Sequence, residues 1–513
     1  MRDRQPLLRT TLLLLIAGIA AGARPQAGPG QAANAPPTAT SAVATPASGA
    51  LAALVLALLG ETPLVADLTE LTDRIGGRPT GSAENLAGVE WALAKLGAAG
   101  VPARREPFEM PSRWLPRSAS ATIAGAGVRF SPPVAAMPYS TGTGPAGVSG
   151  ELLDAGFGTR EDFTRLGARV RGAFLLVETR ELADVAGLFK EYADASAIEA
   201  RGESAGAAGL IYMGSRPGST LYRHNVSASL RNRRPMLVMD RAGAARALRL
   251  LRAAVPLTIE EHVDVDAGGP YDSENVIAEI RGATRPNEIV LMGAHLDSWD
   301  LGTGALDNGA NVALLIDVAR QMVRLGLRPV RTLRFALWNG EEQGIYGSLG
   351  YTRRHAATLD AHVVAGSVDI GCGRITGFFT GGRADLVPLV DRALAPVAGL
   401  GPFTQLDVPI VGTDNLDFML EGVPNLVANQ EPARYGPNYH ARTDTLDQCD
   451  TRQVRLNAAI VGAVVWAFAS GDERLPRHTR VQLEELMDAT DLDDQLKSMG
   501  LWPDWVDGRR GRR

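Results

Sequence analysis

The second half of the chain carries near-continuous apolar runs, each closed by a histidine or a carboxylate. Residues 288–295 read EIVLMGAH, residues 331–338 read RTLRFALW and residues 362–370 read HVVAGSVDI. Strands that are apolar at almost every position, rather than at alternate ones, are buried on both faces. NVIAEI, from residue 275, predicts a further strand at the edge of the main domain. Residues 311–325 carry apolar positions at helical spacing, as do residues 84–98, which stop before Gly100. Strands alternating with helices predict an α/β fold, a mixed and mostly parallel sheet flanked by helices. Ligands of such sheets lie beyond the carboxyl ends of the strands, so chemistry is expected where each run stops.

The pattern changes between residues 125 and 265. Short strands (GAFLLVETR, AAGLIYMG, RRPMLVMD) and charged helices such as 189–201 predict an inserted α+β or β-rich domain. The main α/β domain is expected to span 51–124 and 266–475. Residues 476–513 form a charged C-terminal extension ending GRRGRR, expected to be a peripheral helix and a flexible basic tail. The apolar stretch 458–470 reads as a buried helix.

At the other end, Arg2, Arg4 and Arg9 precede an apolar run over 12–21, and Ala21 and Ala23 flank Gly22. That is the pattern of a secretory signal over residues 1–23, too short to span a bilayer comfortably. Residues 24–50, rich in Ala, Pro, Thr and Gly, read as a disordered linker. The protein is therefore expected to be secreted or periplasmic, with no membrane span after signal removal. Only Cys372 and Cys449 are present, and sequence leaves open whether they pair. A net charge of −5 argues against a nucleic-acid partner, which would require a basic face.

The runs end in a consistent set of groups. His295 and Asp297 follow the first, Glu341 and Glu342 the second, and Asp369 the third, while the loop RYGPNYHARTDTLD supplies His440. Singly, each has an ordinary reading as a cap, a turn or a surface pair. Together they form a donor set for zinc or a similar first-row metal. Two ions about 3.5–4 Å apart need a bridging ligand, and a carboxylate has an oxygen for each. His295, Asp307 and Asp369 are expected to hold one ion, and Asp307, Glu342 and His440 the other. Asp297, two residues beyond His295, is expected to take the second imidazole N–H, and Glu341 is left as general base. Asp300 has no assignment. Two Zn2+ per chain are expected, with Co2+ or Mn2+ as substitutes.

HLDSWDLGTGALDNGAN, LWNGEEQGIYGS, SVDIG and NYHARTDTLD resemble the co-catalytic di-zinc aminopeptidase and carboxypeptidase family. The resemblance implies the zinc-exopeptidase fold with an inserted protease-associated-like domain, and a metallo-exopeptidase acting on dipeptides or short peptides. It implies the same five ligands, Glu341 as base and Asp297 as the aspartate beside the ligand histidine. It further implies Tyr439 as an oxyanion donor and Thr413 and Asp414, in GTDNLDF, as substrate contacts. Departures are NGAN after the bridging aspartate and Gly340 where alanine is common. The arginines of a glutamate-selective pocket are missing near GTDNLDF. The alternatives on this fold are a glutaminyl-cyclase-like transferase with one zinc and a non-catalytic binding protein. The inserted domain is expected to roof the cleft or to mediate a homodimer.

Overall fold

The computed structural model describes residues 46–183, 185–224, 233–432 and 434–513. The proposed signal sequence and most of the proposed linker lie outside the described residues. Pro46–Leu59, which begins inside that linker, is a helix.

The strands, in chain order, are β1 (Ala103–Met110), β2 (Arg113–Gly125), β3 (Val128–Phe130), β4 (Val134–Ala136), β5 (Val148–Asp154), β6 (Phe174–Val177), β7 (Gly209–Met213), β8 (Met236–Met239), β9 (Leu257–Gly268), β10 (Tyr271–Ile280), β11 (Arg285–His295), β12 (Arg331–Trp338), β13 (His362–Ser367), β14 (Ile375–Phe379) and β15 (Asn425–Gln430). One sheet runs β1-β10-β12-β11-β13-β15-β14. Its centre, β12-β11-β13-β15, is parallel, and its margins pair antiparallel. β12 and β13 are buried along their whole length, as is β11 from Ile289 onward. This is why their sequences lack alternation.

Helices Ala310–Arg324, Thr451–Ser470 and Pro46–Leu59 pack together over this sheet. Thr451–Ser470 is long and apolar enough to cross a membrane, yet most of it is buried inside the protein, as a core helix is. Its start is fastened to the segment after β13 by a Cys372–Cys449 disulfide that closes 77 residues. A cross-link over that distance restricts the unfolded chain more than the folded one. Replacing both cysteines by serine should cost about 2–4 kcal/mol of stability, read as an earlier denaturant midpoint.

The second sheet runs β3-β2-β9-β5-β6-β7-β8-β4. It occupies residues 113–268, so β2 and β9 straddle the positions where composition changes. β2 follows β1 after a two-residue turn, and β9 leads straight into β10, so the chain crosses between the sheets without a linker.

The C-terminal extension differs from expectation. Arg480–Ala489, Leu492–Ser498 and Trp502–Val506 are helices, and the basic tail is packed rather than free. Leu483, Met487, Leu492, Leu496 and Trp505 form one cluster with Ile345, Val411 and Leu416. Arg510 is buried and donates to the carbonyls of Gly344 and Ile345. The apolar positions lie at helical spacing on short helices, where charged neighbours dilute the pattern.

Candidate metal centre

β11 delivers His295 at its carboxyl end, fully buried. The chain then loops back through Leu296–Leu306 to present Asp307. Two glycines permit the reversal. Gly304 takes a left-handed φ of 62°, and a Cβ on Gly302 would lie 2.6 Å from the Ala441 carbonyl oxygen. The buried Arg78 guanidinium holds the loop, donating to the carbonyls of Leu296, Gly76, Thr303 and Gly304. Asp444 accepts from the N–H groups of Leu306 at 2.7 Å and Asp307 at 3.2 Å, fixing the backbone at the bridging position.

His295 Nε2 lies 3.1 Å from Asp307 Oδ1 and 2.9 Å from Asp369 Oδ1. His440 Nε2 lies 3.0 Å from Glu342 Oε2 and 3.7 Å from Asp307 Oδ2. The Asp307 carboxylate thus turns one oxygen toward each group, as a bridging ligand does. Within each set, one ligand atom per residue lies within 4.8 Å of the others. The two sets are those expected from the strand ends: His295, Asp307 and Asp369, and Asp307, Glu342 and His440.

Asp307 Oδ2 and Glu342 Oε1 are buried with no hydrogen-bond partner. Buried carboxylate oxygens are normally satisfied, and a divalent cation is the partner this donor set fits. The electrostatics agree. Burial, and then the nearby carboxylates, push the Glu341 and Glu342 carboxyls well above the usual range. Burial lowers His440 to about 4. Burial and then Asp307 raise Asp444 to about 7. His295 is held well above its ordinary value, because Asp369, Asp297 and Asp307 outweigh its burial. Like charges gathered out of water require a counter-charge, and among the described residues the nearby Arg78 is committed to backbone carbonyls.

Asp297 faces the second imidazole nitrogen with both its carbonyl and its carboxylate. His295 Nδ1 is 3.0 Å from the backbone carbonyl of Asp297 and 3.7 Å from its carboxylate. The other carboxylate oxygen, Oδ2, accepts from the Thr80 hydroxyl at 2.8 Å and the Gly340 N–H at 3.1 Å. It therefore ties the end of β11 to the turn that carries Glu341 and Glu342. The alternation that brings position 297 beneath His295 does not choose between a residue's carbonyl and its carboxylate.

The cleft above the ligands is lined by Glu341, Glu342, His440 and Tyr439, with Tyr139, Tyr192 and His224 from the second sheet's unit. Gly412 also reaches it. Thr413 and Asp414, expected to touch substrate, follow Gly412 and are buried. The Thr413 hydroxyl and both Asp414 oxygens have no hydrogen-bond partner. Asp300, unassigned in the sequence, pairs with Arg223 at 2.6 Å.

Sequence reasoning missed Asp444, although it lies within the NYHARTDTLD motif. It also missed Arg78, Arg216 and Arg223. Arg216 Nε donates to the Tyr439 carbonyl at 3.1 Å, and the Arg223 N–H donates to the His440 carbonyl at 2.9 Å. His440 has a φ of 58°, uncommon for a side-chain-bearing residue, and these contacts steady it.

A mixed sheet with ligands at its parallel strand ends is the scaffold of the zinc exopeptidases. Residues 275–465 match peptidase family M28, so the resemblance carried by the sequence motifs holds. The crystal structure of a peptidase M28 precursor from Shewanella amazonensis SB2B superposes with a TM-score of 0.76 at 26% identity, covering 84% of this chain and 99% of that one. A zinc aminopeptidase from Bacillus subtilis shares the fold, with a TM-score of 0.63 at 18% identity over 79% of this chain and 93% of its own. Carboxypeptidase Q of Mus musculus is 36% identical over 210 residues, which is 40% of this chain and 44% of that protein. The match thus spans less than half the length of that protein.

Proposed function

We propose that the protein is an exported di-metal exopeptidase, loaded with two Zn2+, that hydrolyses dipeptides or short peptides. The observation that carries this reading is the pair of three-residue ligand sets sharing Asp307, beside Glu341 in an open cleft. Bound ions would supply Lewis-acid polarisation of the scissile carbonyl and a more acidic water. Glu341 takes the proton from the attacking water and passes it to the departing amine. The Tyr439 hydroxyl donates a hydrogen bond to the carbonyl oxygen as negative charge develops there. Burial keeps that phenol protonated, with its pKa well above the ordinary value.

The cleft encloses about 60 Å3 and opens to solvent, so a ligand reaches Glu341, Glu342 and His440 from outside. Among the described residues no lysine or arginine lines it, which disfavours selection of acidic side chains. The Cys372–Cys449 disulfide suits an oxidising compartment, in keeping with the signal-like N-terminus. Residues of the second sheet's unit reach the cleft, supporting its role as a roof and as a protease-associated-like insertion.

A panel of unblocked, N-blocked and C-blocked dipeptides, assayed with and without chelator, tests the reading. Hydrolysis of unblocked dipeptides should vanish with chelator and return with Zn2+. Removal of the ions should also lower the melting temperature, since they bind only the folded chain. Chelator-resistant hydrolysis, or none with any peptide, would defeat the proposal.

A further inference from the structure

The second sheet's unit places a phenol against the one assigned to the oxyanion. Tyr192, on the helix Val185–Ala205, has its hydroxyl 3.1 Å from the Tyr439 hydroxyl, and both line the cleft. The Tyr439 ring stacks on the His440 imidazole with centroids 3.7 Å apart, which holds its hydroxyl beside the ligand sets. The same helix also reaches the Tyr439 backbone. Glu191, next to Tyr192, pairs with the buried Arg216 at 3.0 Å, and Arg216 Nε donates to the Tyr439 carbonyl. The helix Leu492–Ser498 of the C-terminal extension packs against Val185–Ala205 and supports it from outside.

A phenol has one proton to donate. A tyrosine hydroxyl ordinarily keeps its proton at neutral pH, so each of the two has one to give. If Tyr439 donated to Tyr192, it would have no proton left for a substrate oxygen. If Tyr192 donates, Tyr439 keeps its proton for the cleft, and the bond it accepts polarises its own O–H. We propose that Tyr192 is a positioning residue that donates to the Tyr439 hydroxyl and so aims and strengthens the Tyr439 proton toward the substrate carbonyl oxygen. This rests on the peptidase reading above. It gives the inserted unit a part in turnover besides covering the cleft.

The test compares Tyr192→Phe, Tyr439→Phe and the double variant. Each change removes a single oxygen from an aromatic ring that stays in place. Tyr192→Phe should lower kcat about tenfold with KM within about twofold, and Tyr439→Phe should lower kcat further. In the Tyr439→Phe background, Tyr192→Phe should add nothing. A phosphinic dipeptide analogue, tetrahedral at phosphorus, should lose affinity for Tyr192→Phe by the same factor as kcat. Unchanged kcat, a loss that persists in the Tyr439→Phe background, or a larger loss from Tyr192→Phe than from Tyr439→Phe would each overturn the proposal. A readout independent of turnover is NMR of protein labelled at tyrosine Cζ. The Tyr439 resonance, assigned by its absence in Tyr439→Phe, should shift in Tyr192→Phe, and an unshifted resonance overturns the inference. If wild-type protein hydrolyses no peptide while that resonance shifts, the peptidase reading fails and the phenol pair stands.

Discussion

Glu341→Gln should lower kcat by about a thousandfold and leave the metal content unchanged. Glutamine keeps the shape of the side chain and loses only its capacity to accept and carry a proton. Glu341 belongs to neither ligand set, so the ions have no reason to leave. It nevertheless lines the cleft beside Glu342, where the attacking water and the departing amine must both pass. Near-normal turnover with full metal would contradict the assignment of the base. Loss of metal together with turnover would show instead that Glu341 is a ligand.

Asp307→Ala should empty both positions. Asp307 belongs to both sets, its two oxygens facing His295 at 3.1 Å and His440 at 3.7 Å. Its backbone N–H is held by Asp444, so truncating the side chain leaves the loop anchored and removes the bridge alone. The affinity loss for each ion should exceed the about 100-fold that removal of an outer partner of a ligand typically costs. Asp369→Ala touches only one set and should deplete one ion while the other is retained. Elemental analysis of the purified variants, alongside their turnover, separates these outcomes. Equal depletion by the two substitutions would contradict a bridging role for Asp307.

Much of this centre is legible in the sequence because its ligands stand where buried strands stop. The runs IVLMGA at 289–294 and FALW at 335–338 announce themselves by unbroken apolar character, and the polar residues that follow such runs have few structural reasons to be there. What cannot be read from the chain depends on contacts between distant segments. Arg78 supports the loop after β11 across more than two hundred residues, and Arg216, Arg223 and Tyr192 act on the Tyr439–His440 turn from the helix and loops of the second sheet's unit. Asp444 was visible within its motif, but its use as a backbone acceptor appears only when Leu306 and Asp307 fold beneath it. The C-terminal extension is similar. Its apolar residues become significant once Ile345 and Leu416 are present to receive them.

The proposed centre holds two ions on one shared carboxylate, and peptide hydrolysis is expected to depend on both. The most direct test is zinc content per chain in wild-type protein purified without chelator, measured on the same sample as dipeptide hydrolysis. The arrangement of His295, Asp307, Glu342, Asp369 and His440 predicts two zinc ions per chain in hydrolytically active protein. One zinc per chain with no peptide hydrolysis would contradict it.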